Sequence, residues 1–135
     1  MFYGQIMMKN YLPSPSISFC AVGDAIADDA PLQVSRFGEG KEIDELIAKI
    51  WLEGGGGGNQ HESYELAAYF YNHYAKIPQA EMAFFFVTGD EGYFDHPKVN
   101  HYYKVLGEKP TGEVVDALAE WRKLMENYNV FHLKK

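Results

Sequence analysis

The hydrophobic residues of this chain fall into short blocks whose spacing alternates between the strand and helix periods. Residues 17–23 form an apolar run of strand length that ends in Gly23-Asp24. Residues 32–37 alternate apolar with polar, the pattern of a half-exposed edge strand. Residues 42–53 carry Ile43, Leu46, Ile47, Ile50 and Trp51 on one stripe, which predicts an amphipathic helix. A second helical stripe follows soon after, with Leu66, Ala67, Tyr69, Phe70 and Tyr74. Residues 82–88 are a nearly unbroken apolar run ending in Gly89-Asp90, which predicts a central strand covered on both faces. Residues 94–110 give mixed signals, with turns around Pro97 and Pro110. Thr111 then caps a predicted helix to about residue 127, its core stripe being Val114, Leu118, Trp121 and Met125. Residues 128–133 read as a last strand. The first twelve residues read as the end of an amphipathic helix, cut off by Pro13 and Pro15.

This alternation predicts an α/β fold of three layers, a mostly parallel sheet with right-handed crossovers, flanked by helices. Ligands of such sheets bind at the carboxyl ends of the strands. Two predicted strands end there in Gly-Asp, so Asp24, Asn59, Glu62, Ser63, Asp90 and Glu91 are expected near one another, with Asp24 and Asp90 at one edge of one sheet. Oxygen ligands without histidine or cysteine point to magnesium, calcium or manganese rather than zinc.

The stretch between the second and third apolar blocks sharpens that expectation. Gly54, Gly55, Gly56, Gly57 and Gly58 stand in a row, followed by Asn59, Gln60, His61, Glu62 and Ser63. Five glycines are entropically expensive to order, so the loop is expected to need unusual dihedrals or a close approach. No Gly-Lys-Ser/Thr follows, so it is not a phosphate-binding P-loop. A helix rather than a strand precedes it, which sets aside the dinucleotide fingerprint.

Composition narrows the function classes. The chain has 135 residues, enough for one domain with a buried core. Its formal net charge of −7 argues against a nucleic-acid surface or a polybasic membrane patch. The 16% aromatic and 47% hydrophobic residues argue against disorder. The single cysteine, Cys20, excludes an internal disulfide framework and fits a reducing, cytoplasmic compartment. It is expected to be a buried small hydrophobe rather than a nucleophile. No secretory leader and no apolar run of membrane-spanning length is evident. The five histidines show no zinc-ligand spacing, and Asp28-Asp29 reads as solvated loop acid. Tyr69, Phe70, Tyr71 and Tyr74 read as packing rather than a base-stacking platform.

Residues 19–24, 31–34, 52–63 and 84–91, in this order, resemble a von Willebrand factor A-like domain: a strand, a helix, a Gly-rich loop opening a helix with Ser, then an apolar strand ending in Thr-Gly-Asp. The resemblance covers roughly residues 17–133. It implies a divalent-cation site of the adhesion type, with Ser63 (or Asn59 or Glu62) in the loop role and Asp90 after the later strand. It further implies a non-enzymatic protein-binding domain whose partner offers an acidic side chain to the ion. The family's D-x-S-x-S stretch and the strand before it are absent from these residues. That departure leads to the expectation of a later portion of such a domain, completed by a missing segment, by a second copy or by a protein partner. Two other readings stand beside it: a metal-assisted hydrolase using Asp24, Asp90 and Glu62, and a structural subunit that has lost the ion.

Overall fold

The computed structural model describes residues 9, 11–54, 61–77, 79–94, 97–107, 110 and 115–134. Asn59, Gly55, Gly56, Gly57, Gly58, Thr111 and Val114 lie outside the described residues, as does nearly all of the predicted N-terminal helix end. The chain is mixed α/β. Its described strands are β1 (Cys20–Val22), β2 (Leu32–Val34), β3 (His61–Glu62), β4 (Phe84–Thr88), β5 (Gly92–Tyr93) and β6 (Asn129–Leu133). Its described helices are α1 (Glu42–Ala48), α2 (Tyr64–His73), α3 (Val99–Leu106) and α4 (Ala117–Asn127). Two compact units are distinguishable: one from Met1–Ala21 and Gln33–Leu52, the other from Val22–Leu32 and Glu53–Lys135.

In the first unit, α1 is shorter than its stripe predicts. Ile43 and Leu46 are buried, whereas Ile47 and Trp51 are half exposed. The physical reason lies in Gln33. Its side-chain amide accepts from the Trp51 N–H and donates to the Trp51 carbonyl, both at 2.8 Å. Both backbone groups of Trp51 thereby leave the helical ladder. Cys20 is half-buried, and burial pushes its thiol up to about 12, in keeping with an inert small side chain.

In the second unit, β3 and β5 pair in parallel (His61 opposite Gly92), and so do β4 and β6 (Phe84 opposite Asn129 through Thr88 opposite Leu133). The connection from β4 to β6 contains α3 and α4, as a parallel pair requires. Among the described residues the strands form three two-stranded pairs, β1–β2, β3–β5 and β4–β6. This corrects the expectation that Asp24 and Asp90 lie on one sheet: they follow strands of different pairs.

The core of this unit is Ala25, Leu66, Val99, Tyr102 and Val115, with Tyr69 and Leu106 packed against it. A second, aromatic packing group lies where α2 and α4 meet the inner face of β4: Phe85 is edge-on to Tyr71, Trp121 and Tyr128, with centroids 5.1–6.1 Å apart. The helices α2 and α4 are further tied by Asn72, which donates to the Glu120 carbonyl and carboxylate at 2.8 Å.

Two apolar patterns are corrected here. In α4 the buried positions are Ala117 and Leu124, with Tyr128 just beyond, while Leu118 and Met125 are exposed. The stripe is rotated by about one position: the helix starts after Asp116, which accepts from the Ala119 N–H at 3.0 Å, and its inner face is set by Asn72 holding Glu120 and by Trp121 meeting Phe85. In β4 the expected two-sided burial is one-sided. Phe85 and Val87 point inward, while Phe84 and Phe86 are exposed and stack on Phe131 of β6.

Candidate functional site

The site is built around the turn after β1, which lies in the second unit. The Asp24 carboxylate accepts from the Ile26 N–H at 2.8 Å, an Asx-type turn made by its own side chain. The Asp28 carboxylate accepts from the Asp24 N–H at 2.7 Å, and the Asp24 carbonyl accepts from the Asp28 N–H at 2.8 Å. Gly23 makes this possible. A Cβ there would run into the Asp28 carboxylate, which would have to shift away from the Asp24 N–H. From α3, Lys104 donates to the carbonyls of Ala25 and Asp28 at 3.1 and 3.0 Å. The acidic turn therefore already holds one ammonium. Outside it, Glu53 receives the N–H groups of Asp29 and Ala30 at 3.1 Å each.

Ser63 joins this turn to the start of α2. Its N–H donates to the Gly23 carbonyl at 3.0 Å, and its hydroxyl oxygen accepts from the Ala25 N–H at 3.0 Å. Ser63 is fully buried and stands at the N-cap of α2 without capping it through its side chain. Its hydroxyl thus closes a backbone contact instead of satisfying the helix end.

Glu62, the residue before, is half-buried, and one of its carboxylate oxygens has no hydrogen-bond partner among the described residues. Burial raises its pKa above the usual carboxylate range, and Asp28, Asp24 and Glu91 raise it further, in that order. These four acids share one field. Asp90 joins through Tyr64, whose phenol is raised first by burial and then by Glu62, Asp90 and Glu91. Gly89 lets Tyr64 reach this far, since a Cβ at that position would stand 2.8 Å from the Tyr64 Cζ. The two Gly-Asp endings are therefore places of close approach, one for a carboxylate and one for a phenol.

Beneath these acids lies Glu65, which sequence reasoning passed over. It is fully buried, and neither carboxylate oxygen has a hydrogen-bond partner among the described residues. Burial pushes its carboxyl up to about 7, and Asp24 adds to the rise. The backbone N–H groups of Glu65 and Phe94 lie near enough to oppose it, yet neither makes a full hydrogen bond. Two further polar atoms of this corner lack partners among the described residues, Nδ1 of His101 and the hydroxyl of Tyr102. Burial lowers the His101 pKa, with Lys98 and Lys104 acting the same way and Asp24 opposing them. Burial also lifts the Tyr102 phenol, and Glu65 adds to it.

Of the expected site residues, Asp24, Glu62 and Ser63 are brought together, and Glu91 and Asp90 stand at the margin, exposed. Gly54 meets nothing within 4 Å of where a Cβ would be, so no close approach requires a glycine there. Asp28 is a member of the cluster rather than the freely solvated acid its sequence context suggested. Glu65 carried a legible signal: it is a charged residue on the apolar stripe of its own helix, next to Leu66. Among the described residues no group of three His, Cys, Asp or Glu side chains is arranged to hold a metal ion, and no helix is long and apolar enough to cross a membrane. No protein-family model, curated protein or solved structure matches this chain.

Proposed function

We propose that the chain is a divalent-cation-dependent protein-binding domain of the von Willebrand factor A-like kind, responding to magnesium, calcium or manganese through the acids around Glu62. The observation that carries this reading is the grouping of Asp24, Asp28, Glu62 and Glu91 from separate segments, with a buried and unpartnered oxygen on Glu62. Like charges held together in a partly desolvated place are relieved by a cation. Among the described residues no three acids are arranged as a closed ligand set; in this reading water and an acidic side chain of the partner complete the ion's shell. The exposed rings of Phe84, Phe86 and Phe131 support the protein-binding half of the reading, since contiguous aromatic surface marks interaction sites.

Thermal unfolding in EDTA and in millimolar MgCl2, CaCl2 or MnCl2 tests the reading. A cation that binds only the folded chain stabilises it by about 2.7 kcal/mol at a hundred times its dissociation constant. Glu62→Gln is expected to reduce that gain. Equal stability in EDTA and in every cation would end the reading. A hydrolase substrate panel run with the same cations separates binding from metal-assisted hydrolysis.

A further inference from the structure

Ser63 is the residue that the family resemblance puts on the ion, yet its oxygen is occupied by the Ala25 N–H and sealed from solvent. With one lone pair given to that N–H, the hydroxyl keeps a single lone pair and no charge to offer a metal. Two residues further along, in the same first turn of α2, Glu65 offers what Ser63 does not. Both its oxygens are buried without a hydrogen-bond partner among the described residues, and the Ser63 bonds to Gly23 and Ala25 hold the start of α2 against the turn of Asp24, itself only 1% exposed. Glu65 also sits where the partial positive charge of a helix start favours an anion, so the position suits a carboxylate.

A buried carboxylate without partners is a costly arrangement that folded proteins keep only where a proton or a cation neutralises it. Lys104 does not do so: its ammonium is committed to the carbonyls of Ala25 and Asp28. The Tyr102 hydroxyl and Nδ1 of His101, both buried without partners among the described residues, can each hold water or face an oxygen-ligated ion. Two carboxylates with water filling the rest of the shell is a coordination that magnesium accepts, and it does not require a third acid.

We infer that Glu65 and Asp24 form a two-carboxylate site for a hydrated divalent cation, magnesium first, with Glu65 and not Ser63 as the ligand from α2. This deepens the proposed cation response and rests on it. The Glu62 cluster then acts as the acidic entrance, and the ion sits against the core residues Leu66 and Tyr102.

The test is titration of the full chain with MgCl2, and separately with MnCl2, followed by calorimetry and by NMR. Glu65→Gln keeps the shape and removes the charge, and it is expected to weaken magnesium binding by more than about tenfold. Mn2+ added in substoichiometric amounts to the unaltered chain locates the ion by paramagnetic broadening, independent of how any variant folds. Broadening strongest at the Leu66 methyls and the Tyr102 ring is expected. Broadening confined to Asp90 and Glu91, or Glu65→Gln binding as tightly as the unaltered chain while Glu62→Gln binds weakly, would overturn the Glu65 assignment and leave the cation reading standing. No saturable binding in the unaltered chain would overturn both.

Discussion

Two regions of the second unit break the usual sorting of polar and apolar groups in opposite ways. Where α2 starts and α3 passes, polar atoms lie inside without partners among the described residues: both oxygens of Glu65, the Tyr102 hydroxyl and Nδ1 of His101. On the outer face of β4–β6, apolar rings lie outside without cover. Phe84, Phe86 and Phe131 stack in a row with centroids 5.4–6.4 Å apart, and the register places Thr88, Asn129 and Leu133 on the same uncharged face. The two anomalies differ in energetic weight. A buried unpaired carboxylate works against folding with a free energy of several kcal/mol, whereas an exposed ring merely gains nothing. Chemistry is therefore sought first at the buried corner, and contact area at the open face.

The largest expected effect tests whether the corner is truly core. Leu66 is fully buried between Tyr102 and its neighbours, and Leu66→Ala should remove about 2–5 kcal/mol from the unfolding free energy measured in urea. A loss below about 1 kcal/mol would mean that the corner is loosely packed and open to water, and the burial argument for Glu65 would lapse with it.

The next effect is the charge on Glu65 itself, and its sign follows from proton binding. The carboxyl sits at about 7 in the fold against an ordinary 4.5, so the folded chain holds this proton more tightly than the unfolded chain. Below about pH 4.5 both states are protonated and the group contributes no penalty. Between there and pH 7 the unfolded chain ionises first and stability falls; above pH 7 the loss is constant. Glu65→Gln escapes it. In EDTA the variant should match the parent near pH 4 and exceed it at pH 8 by up to about 3 kcal/mol, as followed by urea unfolding across that range. Saturating magnesium should shrink the difference at pH 8. Parallel curves across the range would show that the carboxylate is satisfied in the folded chain.

How much of this was legible in the sequence divides along the same line. The strands β4 and β6 and the helices α2 and α4 follow from their apolar blocks, because long periodic segments average over local exceptions. The faces do not follow so well. Leu118 and Met125 share a stripe with Trp121 as convincingly as Ala117 and Leu124 do, and only packing against α2 and β4 decides between them. The helix α3 was hidden by the turn signals at Pro97 and Pro110, although Val99, Tyr102 and Leu106 have helical spacing and Gly107 ends it in a left-handed conformation with φ 73°. At the site, Ser63 was expected near Asp24 and meets its turn through Gly23 and Ala25, whereas Asp90 and Glu91 stand exposed at the margin. Glu65, His101 and Lys104 were not expected there, because a charged residue within an apolar stripe looks like noise until its burial is known. The pairing of Ser63 with the Ala25 N–H spans 38 residues, a separation no local pattern encodes.

A smaller effect separates support from ligation at Ser63. Ser63→Ala removes the acceptor of a buried N–H, and leaving that donor unpaired costs about 1–3 kcal/mol. Thermal unfolding in EDTA should show that loss, and it should persist unchanged in saturating magnesium if Ser63 only holds the Ala25 N–H and does not ligate the ion. A loss seen only with magnesium present would return Ser63 to the role of ion ligand.

The smallest effect is expected on the open face. Phe86 is 54% exposed and its ring meets Phe131 at 5.4 Å with nearly parallel planes. Phe86→Thr gives up that stacked contact, worth about 0.5–1.5 kcal/mol where rings are well buried and less where water reaches both. It also exchanges one good strand former for another, and it removes apolar surface that already faces solvent. The net change in monomer stability should stay under about 1 kcal/mol, against several for Leu66→Ala, although both remove a large side chain from the same unit. Urea unfolding at two protein concentrations tenfold apart checks this. A loss of about 3 kcal/mol or more at both concentrations would show that the face is covered within the folded chain. A loss that appears only at the higher concentration would show that a second copy covers it, since only then does the stability of the parent grow with protein concentration.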